Sequence, residues 1–354
     1  FRWRDGGFGD LIPLLGDGML TIDGDFHKQS RRIMLPAFHH ERVAAALTTM
    51  EEEIERALEP WHDGLELDLY AWARELALRV AMRALFGFES DSSGPARQFE
   101  RALGFYGREY WLQVLRGPGT PWAALTDARR KLDRLIYAEI AQRRRTGQRG
   151  DDVLSLLLDA PFTDRQIRDH VMTLLFAGHD TTTATVAFLF YELARHPEIA
   201  DAAAADPQIL DQALDETLRL YPPAWIGPRR AAKDYEFAGH RVAEGAPVNY
   251  SSWASHRLPD VWEAPHEFRP ERFAPEARKR IPKGAYVPFG GGSRICLGMR
   301  FGQLEIKAIA KAVSERFRVE LRPGYELRIR QTPTLGPVGG LPVRIRVARS
   351  SLAE

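Results

Sequence analysis

The sequence predicts a mainly α fold with a small β region. Apolar residues recur at intervals of three and four over long stretches, which is the spacing of one face of an α-helix. The longest stretch, residues 163–195, begins with the capping residue Thr163 and is apolar over most of its middle, so we expect a buried helix. Short strand-like pieces separated by turn residues lie at 235–237, 240–242 and 247–250.

The other helices are shorter and more amphipathic. Gly87 closes one of them, and the basic run 143–145 suits the C-terminus of another. The same spacing predicts these further helices, with approximate bounds: 24–38, 41–61, 69–86, 122–145, 151–158, 213–221 and 297–317.

Composition describes an ordinary soluble globular protein. The 354 residues carry a formal net charge of +1, without the positive excess that would indicate nucleic acid binding. One cysteine permits no intrachain disulfide, which suits a reducing cytoplasm. No uninterrupted apolar run is long enough to span a bilayer, and the first residues do not resemble a signal peptide.

The only cysteine, Cys296, lies in the loop 289–298 at the start of the last predicted helix. Glycines before it allow backbone conformations closed to other residues, and the helix N-terminus and Arg294 favour a thiolate. Zinc and iron–sulfur sites draw several cysteines, so haem iron, which takes one axial thiolate, is the best metal candidate. A buried structural cysteine is the alternative.

The spacing of Phe289, Gly292, Cys296 and Gly298, F-x-x-G-x-x-x-C-x-G, resembles the haem-binding loop of the cytochrome P-450 family. The resemblance covers about residues 16–346. It implies the triangular helical prism of that family as a single haem-thiolate domain over 1–354, with Cys296 as iron ligand to haem b (iron protoporphyrin IX) and Phe289 shielding the sulfur. The first helices and strands of that fold are expected to be missing, as in an N-terminally shortened chain, which leaves an upstream anchor or signal open.

A polar cluster interrupts the long apolar helix at residues 176–183, Phe-Ala-Gly-His-Asp-Thr-Thr-Thr. The Thr181 hydroxyl is expected to bond the Ala177 carbonyl one turn back, which would bend the helix and open a groove for oxygen or water. The cluster resembles the family motif A-G-x-D-T-T, which implies that Asp180 and Thr181 deliver protons to bound dioxygen. A helix-bending site without chemistry is the alternative.

Four cationic residues resemble the family's haem propionate ligands. His27 and Arg31, four residues apart, share a helix face, and a basic solvated face is the alternative reading. Arg229 matches a further propionate-binding position, although Arg230 beside it leaves the choice open. Arg294 lies in the cysteine loop itself.

Glu216 and Arg219, three residues apart on a predicted helix, can form a charge pair. The segment 268–273 resembles the family segment that brings a second arginine, here Arg272, to the same glutamate. We expect a buried network that supports the haem loop and has no chemistry of its own. A solvated pair on a surface helix is the alternative.

The resemblance implies a monooxygenase that inserts one oxygen atom of O2 into a lipophilic substrate. Electrons from NAD(P)H would arrive through a ferredoxin, flavodoxin or flavoprotein reductase, and a monomer is expected. The alternatives are a haem-thiolate peroxygenase or isomerase, and a haem-binding sensor or carrier without turnover. Basic residues that could steer an acidic partner are Arg278, Lys279, Arg280, Lys283 and Arg300; ordinary solvated side chains are the alternative for each. Candidate pocket residues are Phe176, Ala177, Trp225 and Ile226, while the aromatic stripe of Phe99, Phe105, Tyr106, Tyr110 and Trp111 is either core or pocket.

Overall fold

The long apolar stretch forms one helix, Asp164–Arg195. Thr163 caps it: its hydroxyl accepts from the Gln166 N–H at 3.3 Å, and the Gln166 side chain accepts from the Thr163 N–H at 2.9 Å. This reciprocal pair satisfies two donors that the first turn would leave without partners. The computed structural model describes residues 1–88 and 93–348.

Helices dominate the described residues, which confirms the mainly α fold. Numbered α1 to α14 in chain order, the α-helices there are Ile12–Leu15, Gly24–Met34, His40–Leu58, Leu69–Val80, Ser93–Tyr106, Tyr110–Gln113, Pro121–Thr146, Val153–Asp159, Asp164–Arg195, Pro197–Ala205, Pro207–Leu220, Ser252–Ser255, Pro275–Arg278 and Met299–Arg316. The expected helix 213–221 in fact begins at Pro207, because the Asp206 side chain accepts from the Gln208 N–H at 2.8 Å and caps it there.

The β region is larger than the sequence predicts. The strands β1 to β9 within residues 1–88 and 93–348 are Glu66–Asp68, Ile226–Arg230, Tyr235–Phe237, His240–Val242, Pro247–Ser251, Phe317–Leu321, Ile329–Arg330, Gly336–Pro337 and Pro342–Val347. β3 and β4 form the expected hairpin and β5 pairs with β2. The three-stranded sheet β1-β9-β6, antiparallel throughout, was not expected.

The chain divides into two compact units. The first comprises residues 1–42, 78–178 and 226–250, and in it α5 packs against α7. Arg143, near the end of α7, is 2% exposed and donates to the carboxylates of Glu139 and Asp152 and to the Phe86 carbonyl. A buried guanidinium that donates to acids and a carbonyl ties α7 to the neighbouring segments of this unit.

The second unit comprises residues 43–77, 179–225 and the chain from residue 251 onwards. Here α10, α11 and α14 pack together, and the three-stranded sheet pairs Leu67 with Val343 and Val319 with Ile345. The apolar face of α14 is fully buried at Ile309. The expectation of one domain over the whole chain stays a prediction.

Candidate active site

The loop before α14 presents Cys296 at the protein surface. Gly290 and Gly292 adopt φ angles of 69° and 65°, and residues Gly292–Arg294 form a single 3₁₀ turn. The Cys296 N–H then donates to the Phe289 carbonyl at 3.0 Å, which closes the loop. The cysteine is exposed and lies two residues before Gly298, the N-cap of α14. The alternative of a buried structural cysteine is therefore wrong.

The start of this loop is attached to α11. The Tyr286 hydroxyl donates to the Asp215 carboxylate at 2.9 Å, and the Val287 N–H donates to Nε2 of His256 at 2.8 Å. His256 is 0% exposed and caps the C-terminus of the short helix α12. Sequence reasoning missed this histidine because no local pattern connects it to a loop thirty-one residues later.

Helix α9 carries the polar cluster on a mostly buried helix. Ala177, Gly178 and Thr181 are half-buried and lie three and four residues apart, whereas Phe176 and Asp180 are buried. A helix position four residues on lies over the same face, so small residues open one side of α9. The Thr183 hydroxyl donates to the His179 carbonyl at 2.7 Å, the kind of back-bond that bends helices. The bond from Thr181 to Ala177 stays a prediction.

Helix α14 meets α9 directly beside this cluster. A Cβ placed on Gly302 would lie 3.9 Å from the Thr182 hydroxyl, and the Thr182 side chain hydrogen-bonds the Glu305 carboxyl. Glu305 is 1% exposed, and burial raises its pKa well above the usual range, against the opposing effect of Thr182. Helix α14, which follows Cys296, therefore contacts Thr182, the residue after Thr181, and both belong to the second unit.

Asp180 is held by side chains from the end of the chain. The Thr334 hydroxyl donates to Asp180 Oδ2, and Arg330 Nη2 lies 3.7 Å from Asp180 Oδ1. Arg330 also donates to the Tyr70 hydroxyl at 2.6 Å. Burial and the charge of Asp180 raise the pKa of Tyr70, while Arg330 lowers it. Asp180 is 0% exposed and the Arg330 side chain 27%, so this cluster runs from the interior to the surface of the second unit.

The expected glutamate–arginine network is present and buried. Arg219 donates to both carboxylate oxygens of Glu216 at 2.7 Å, and Arg272 donates to Oε1 at 3.3 Å. Glu216 and Arg219 are each 0% exposed, so the solvated-pair reading is wrong. Burial raises the pKa of Glu216, and the hydrogen bonds from Arg219 oppose that rise. The remaining Arg219 donors bind the carbonyls of His256, Pro265 and Glu267.

The cationic candidates lie in different places. His27 is 5% exposed and Arg31 half-buried on α2, which argues against a solvated face. Arg229 on β2 sits against Trp3 and Tyr250, with its guanidinium carbon 4.3 and 4.6 Å from the two ring centroids, and burial lowers its pKa. Arg294 is half-buried in the loop of the second unit.

Arg230 differs from its neighbour Arg229. Its side chain donates to the backbone carbonyls of Asp5 at 2.7 Å and Gly245 at 2.9 Å. Since both carbonyls belong to the first unit, these bonds secure the β2 segment there. Because the Arg230 guanidinium already binds these carbonyls, Arg229 is the better candidate for binding a propionate.

The aromatic residues divide between core and surface. Phe99, Phe105 and Tyr106 are buried, whereas Tyr110 is 81% and Trp111 59% exposed. Trp225 is half-buried and its Nε1 donates to the Gln331 carbonyl at 2.7 Å. Ile226 follows as the half-buried first residue of β2.

Two kinds of site find no support in the part of the chain that the structure describes. No group of three or more His, Cys, Asp and Glu side chains there could hold a metal ion, so a multi-ligand zinc site has no candidate in those residues. Among the helices of the same residues, none combines the length and the apolar character needed to cross a membrane.

Comparison with known proteins identifies the family. The family model of cytochrome P-450 matches residues 1–338. The chain belongs to the cytochrome P-450 family. Cyclooctat-9-en-7-ol 5-monooxygenase of Streptomyces melanosporofaciens is 33% identical over 354 aligned positions, covering 92% of this chain and 77% of that protein.

Solved P-450 structures share the fold. A cyanobacterial CYP120A1 with bound retinoic acid superposes with a TM-score of 0.88 at 29% identity, over 95% of this chain and 82% of that one. A P-450 of Thermus thermophilus, described as 6-coordinated, gives 0.80 at 30% identity, over 96% and 86%. The cytochrome P-450 fold and the assignment as a P-450 monooxygenase are therefore confirmed.

The residues of the loop fit the haem that this P-450 family implies. The donor is a single exposed thiol, the number that haem iron accepts from cysteine. A Cβ added at Gly291 or Gly292 would meet no atom within 4 Å, so a flat group has room against the loop backbone. Residues that sequence reasoning missed are Thr334, Arg330, Tyr70, Glu305 and His256.

Proposed function

We propose that this P-450 inserts one atom of O2 into a lipophilic organic substrate, with Cys296 as the thiolate ligand of haem b. The observation that carries the proposal is a contact within the second unit. It connects the helix that follows the exposed Cys296 to Thr182 in the polar cluster of α9, called the oxygen motif below. Helix α14 begins three residues after Cys296 and contacts Thr182, the neighbour of Thr181. Cys296 would hold the haem iron through its thiolate, and the bound haem would supply the iron at which O2 is activated.

Cys296 is supported by its own loop. The bond from its N–H to the Phe289 carbonyl fixes the backbone that carries the sulfur. The half-buried Phe289 would shield one side of the thiolate. Positive charge from the N-terminus of α14 and from Arg294 would favour the thiolate. His27, Arg31, Arg229 and Arg294 would bind the two propionates, and charge-assisted bonds from such groups are strong where water is scarce.

Asp180 and Thr181 would deliver protons. Asp180 accepts a hydrogen bond at Oδ2 from the Thr334 hydroxyl, and its Oδ1 lies 3.7 Å from Nη2 of Arg330. Because Arg330 is partly exposed, this carboxylate is connected to the protein surface through one side chain. The Thr181 hydroxyl, half-buried on the open side of α9, can pass a proton on from Asp180.

The substrate class follows from the pocket candidates and from relatives. Phe176, Ala177, Trp225 and Ile226 offer apolar or aromatic surface with one indole donor, which already binds the Gln331 carbonyl. The Streptomyces relative is named for a hydroxylated cyclic hydrocarbon, and the cyanobacterial structure holds retinoic acid. These compounds share large apolar frames, and we propose a substrate of that kind.

The electrons would come from NAD(P)H through a separate redox protein. Of the basic residues around the loop, Arg278 pairs with Asp215 and Lys279 with Glu276, whereas Arg280, Lys283 and Arg300 present exposed side chains. These three would attract an acidic partner. The variant pair Arg280→Glu and Lys283→Glu should slow reduction by an acidic ferredoxin and weaken its salt dependence. Lys311→Glu, an exposed change on α14, is the control, and an unchanged rate in the paired variant contradicts the steering role.

A reduced carbon monoxide difference spectrum tests the ligand assignment. The wild type should show the thiolate signature and Cys296→Ser should lose it, while Ser293→Ala, an exposed change in the same loop, should keep it. A signature retained by Cys296→Ser would refute the assignment.

Turnover distinguishes the rival functions. Product formed with NAD(P)H, a reductase and ferredoxin supports the monooxygenase, whereas product formed with peroxide alone supports a peroxygenase. Haem and ligand binding with neither reaction supports a sensor or carrier.

A further inference from the structure

His256 joins two parts of the second unit that are far apart in sequence. Its Nδ1 lies 3.1 Å from the Arg219 carbonyl, and its Nε2 accepts from the Val287 N–H at 2.8 Å. Arg219 returns the contact, since its Nη1 donates to the His256 carbonyl at 2.9 Å. One buried imidazole therefore connects the glutamate–arginine network to the residue two positions before Phe289.

The contacts determine the tautomer of the ring. A backbone N–H can only donate, so Nε2 must be the unprotonated acceptor, and a carbonyl can only accept, so Nδ1 must carry the proton. The pKa of His256 is lowered to about 4, mainly by burial; the charges of Arg219 and Arg257 add to this effect, and the backbone carbonyls of Arg219 and Leu218 oppose it. The ring is therefore neutral at neutral pH and keeps both bonds.

The loop beyond Val287 is built on that contact. The Gly290 N–H donates to the Val287 carbonyl at 3.1 Å, and the Cys296 N–H donates to the Phe289 carbonyl at 3.0 Å. The His256 ring also packs against the Tyr286 ring, with centroids 5.3 Å apart. The backbone hydrogen bonds of the loop therefore follow directly on Val287, whose N–H is bound by the His256 ring.

We propose that His256 is a positioning residue for the haem-binding loop: its neutral imidazole, held in one tautomer between α11 and Val287, fixes the loop that presents Cys296. The role as a haem loop rests on the proposed function. The hydrogen-bond geometry does not, so the two can be tested separately.

Two amide variants separate the two ring contacts. The side-chain oxygen of His256→Gln reaches the depth of Nε2 and can accept from the Val287 N–H. His256→Asn is one methylene shorter, so its NH2 can replace Nδ1 at the Arg219 carbonyl but its side chain does not reach Val287. Only the glutamine variant should preserve the loop. His266→Asn, at an exposed histidine ten residues on, is the matched control.

Amide hydrogen exchange of the haem-loaded protein measures the loop directly. Peptides covering residues 284–297 should exchange about tenfold faster in His256→Asn than in His256→Gln, His266→Asn or wild type, the equivalent of one lost hydrogen bond. The reduced carbon monoxide complex should lose part of its thiolate signature in the asparagine variant alone. Equal exchange and equal spectra in the Asn and Gln variants overturn the proposal.

Nuclear magnetic resonance of the wild type gives a measurement that no folding failure can affect. The imidazole nitrogen shifts of His256 should show a protonated Nδ1 and an unprotonated Nε2 at pH 7, and the opposite tautomer overturns the proposal. A wild type without the thiolate signature defeats the proposed function instead, and the exchange comparison still decides the role of His256.

Discussion

Replacement of the three arginines around Glu216 by lysine should give a graded loss of stability. All three changes keep the positive charge, so they test hydrogen-bond geometry and not net charge. Arg219 is 0% exposed, Arg272 has a 12% exposed side chain and Arg269 a 36% exposed one. The bonds that each guanidinium makes differ in the same order, and they set the expected magnitudes.

Arg219→Lys should have the largest effect. Its guanidinium makes two bonds to Glu216 and three to backbone carbonyls, at 2.7 to 3.0 Å. A lysine has three donors on one nitrogen and cannot reach acceptors arranged around a planar fork, so two or more buried acceptors lose their partners. At about 1–3 kcal/mol for each unsatisfied group, the free energy of unfolding should fall by about 3–5 kcal/mol.

The other two changes should be milder. Arg272 donates to Glu216 at 3.3 Å and to the Ala264 carbonyl at 2.9 Å, and a lysine can keep one of these, which gives a loss of about 1 kcal/mol. Arg269 binds Glu216 through its backbone N–H, which Arg269→Lys leaves intact. Within the described residues its side chain pairs at the surface with Glu263 and Glu267, so the change should leave the free energy of unfolding nearly unchanged.

Urea unfolding of the three variants, followed by haem absorbance and by circular dichroism, measures the series. The midpoint should fall most for Arg219→Lys with little change in the slope. A loss for Arg272→Lys or Arg269→Lys that equals the loss for Arg219→Lys would refute the reasoning, because the hydrogen bonds would then not determine the stability.

Two further predictions concern groups that sequence reasoning did not use. Thr334→Val removes the donor to Asp180 and should lower the product formed per NADPH consumed about tenfold. Thr334→Ser keeps the hydroxyl and should match the wild type. An equal yield per NADPH in both variants contradicts a role for the Thr334 hydroxyl. Burial lowers the pKa of His170 from 6.5 to about 4, so only the unfolded chain binds that proton between these values, and stability falls as the pH drops from 6.5 towards 4. The difference in the free energy of unfolding between pH 7 and pH 4.5 should shrink by up to about 3 kcal/mol in His170→Leu. The exposed His62→Leu is the control and should leave this difference unchanged. An unchanged difference in His170→Leu contradicts the assignment.

Local patterns predicted the helices and the cysteine loop well. The capping residue Thr163 and the long apolar middle predicted α9, and the glycines around Cys296 predicted unusual backbone conformations, which Gly290 and Gly292 adopt with positive φ angles. Both signals are contained in short stretches of sequence, where neighbours along the chain are also neighbours in space.

The parts that were missed depend on contacts across long sequence separations. β6 and β9, which pair with each other, alternate apolar and charged residues over only five and six positions. The other partner of β9 is β1, at Glu66–Asp68. Thr334 and Arg330 follow no motif, and their relation to Asp180 appears only after the chain has folded. A single sequence does not show which residues of two such distant segments pair with each other.

The contact between Asp180 and Thr334 also has a consequence for synthesis. The two residues are 154 positions apart, so at about 5–20 residues per second a ribosome needs roughly ten to thirty seconds to make the second after the first. During that interval the carboxylate of a nascent α9 lacks its hydroxyl donor, and burying it would be unfavourable. We therefore expect the oxygen motif to stay hydrated on the growing chain and to dehydrate only when the last strands arrive.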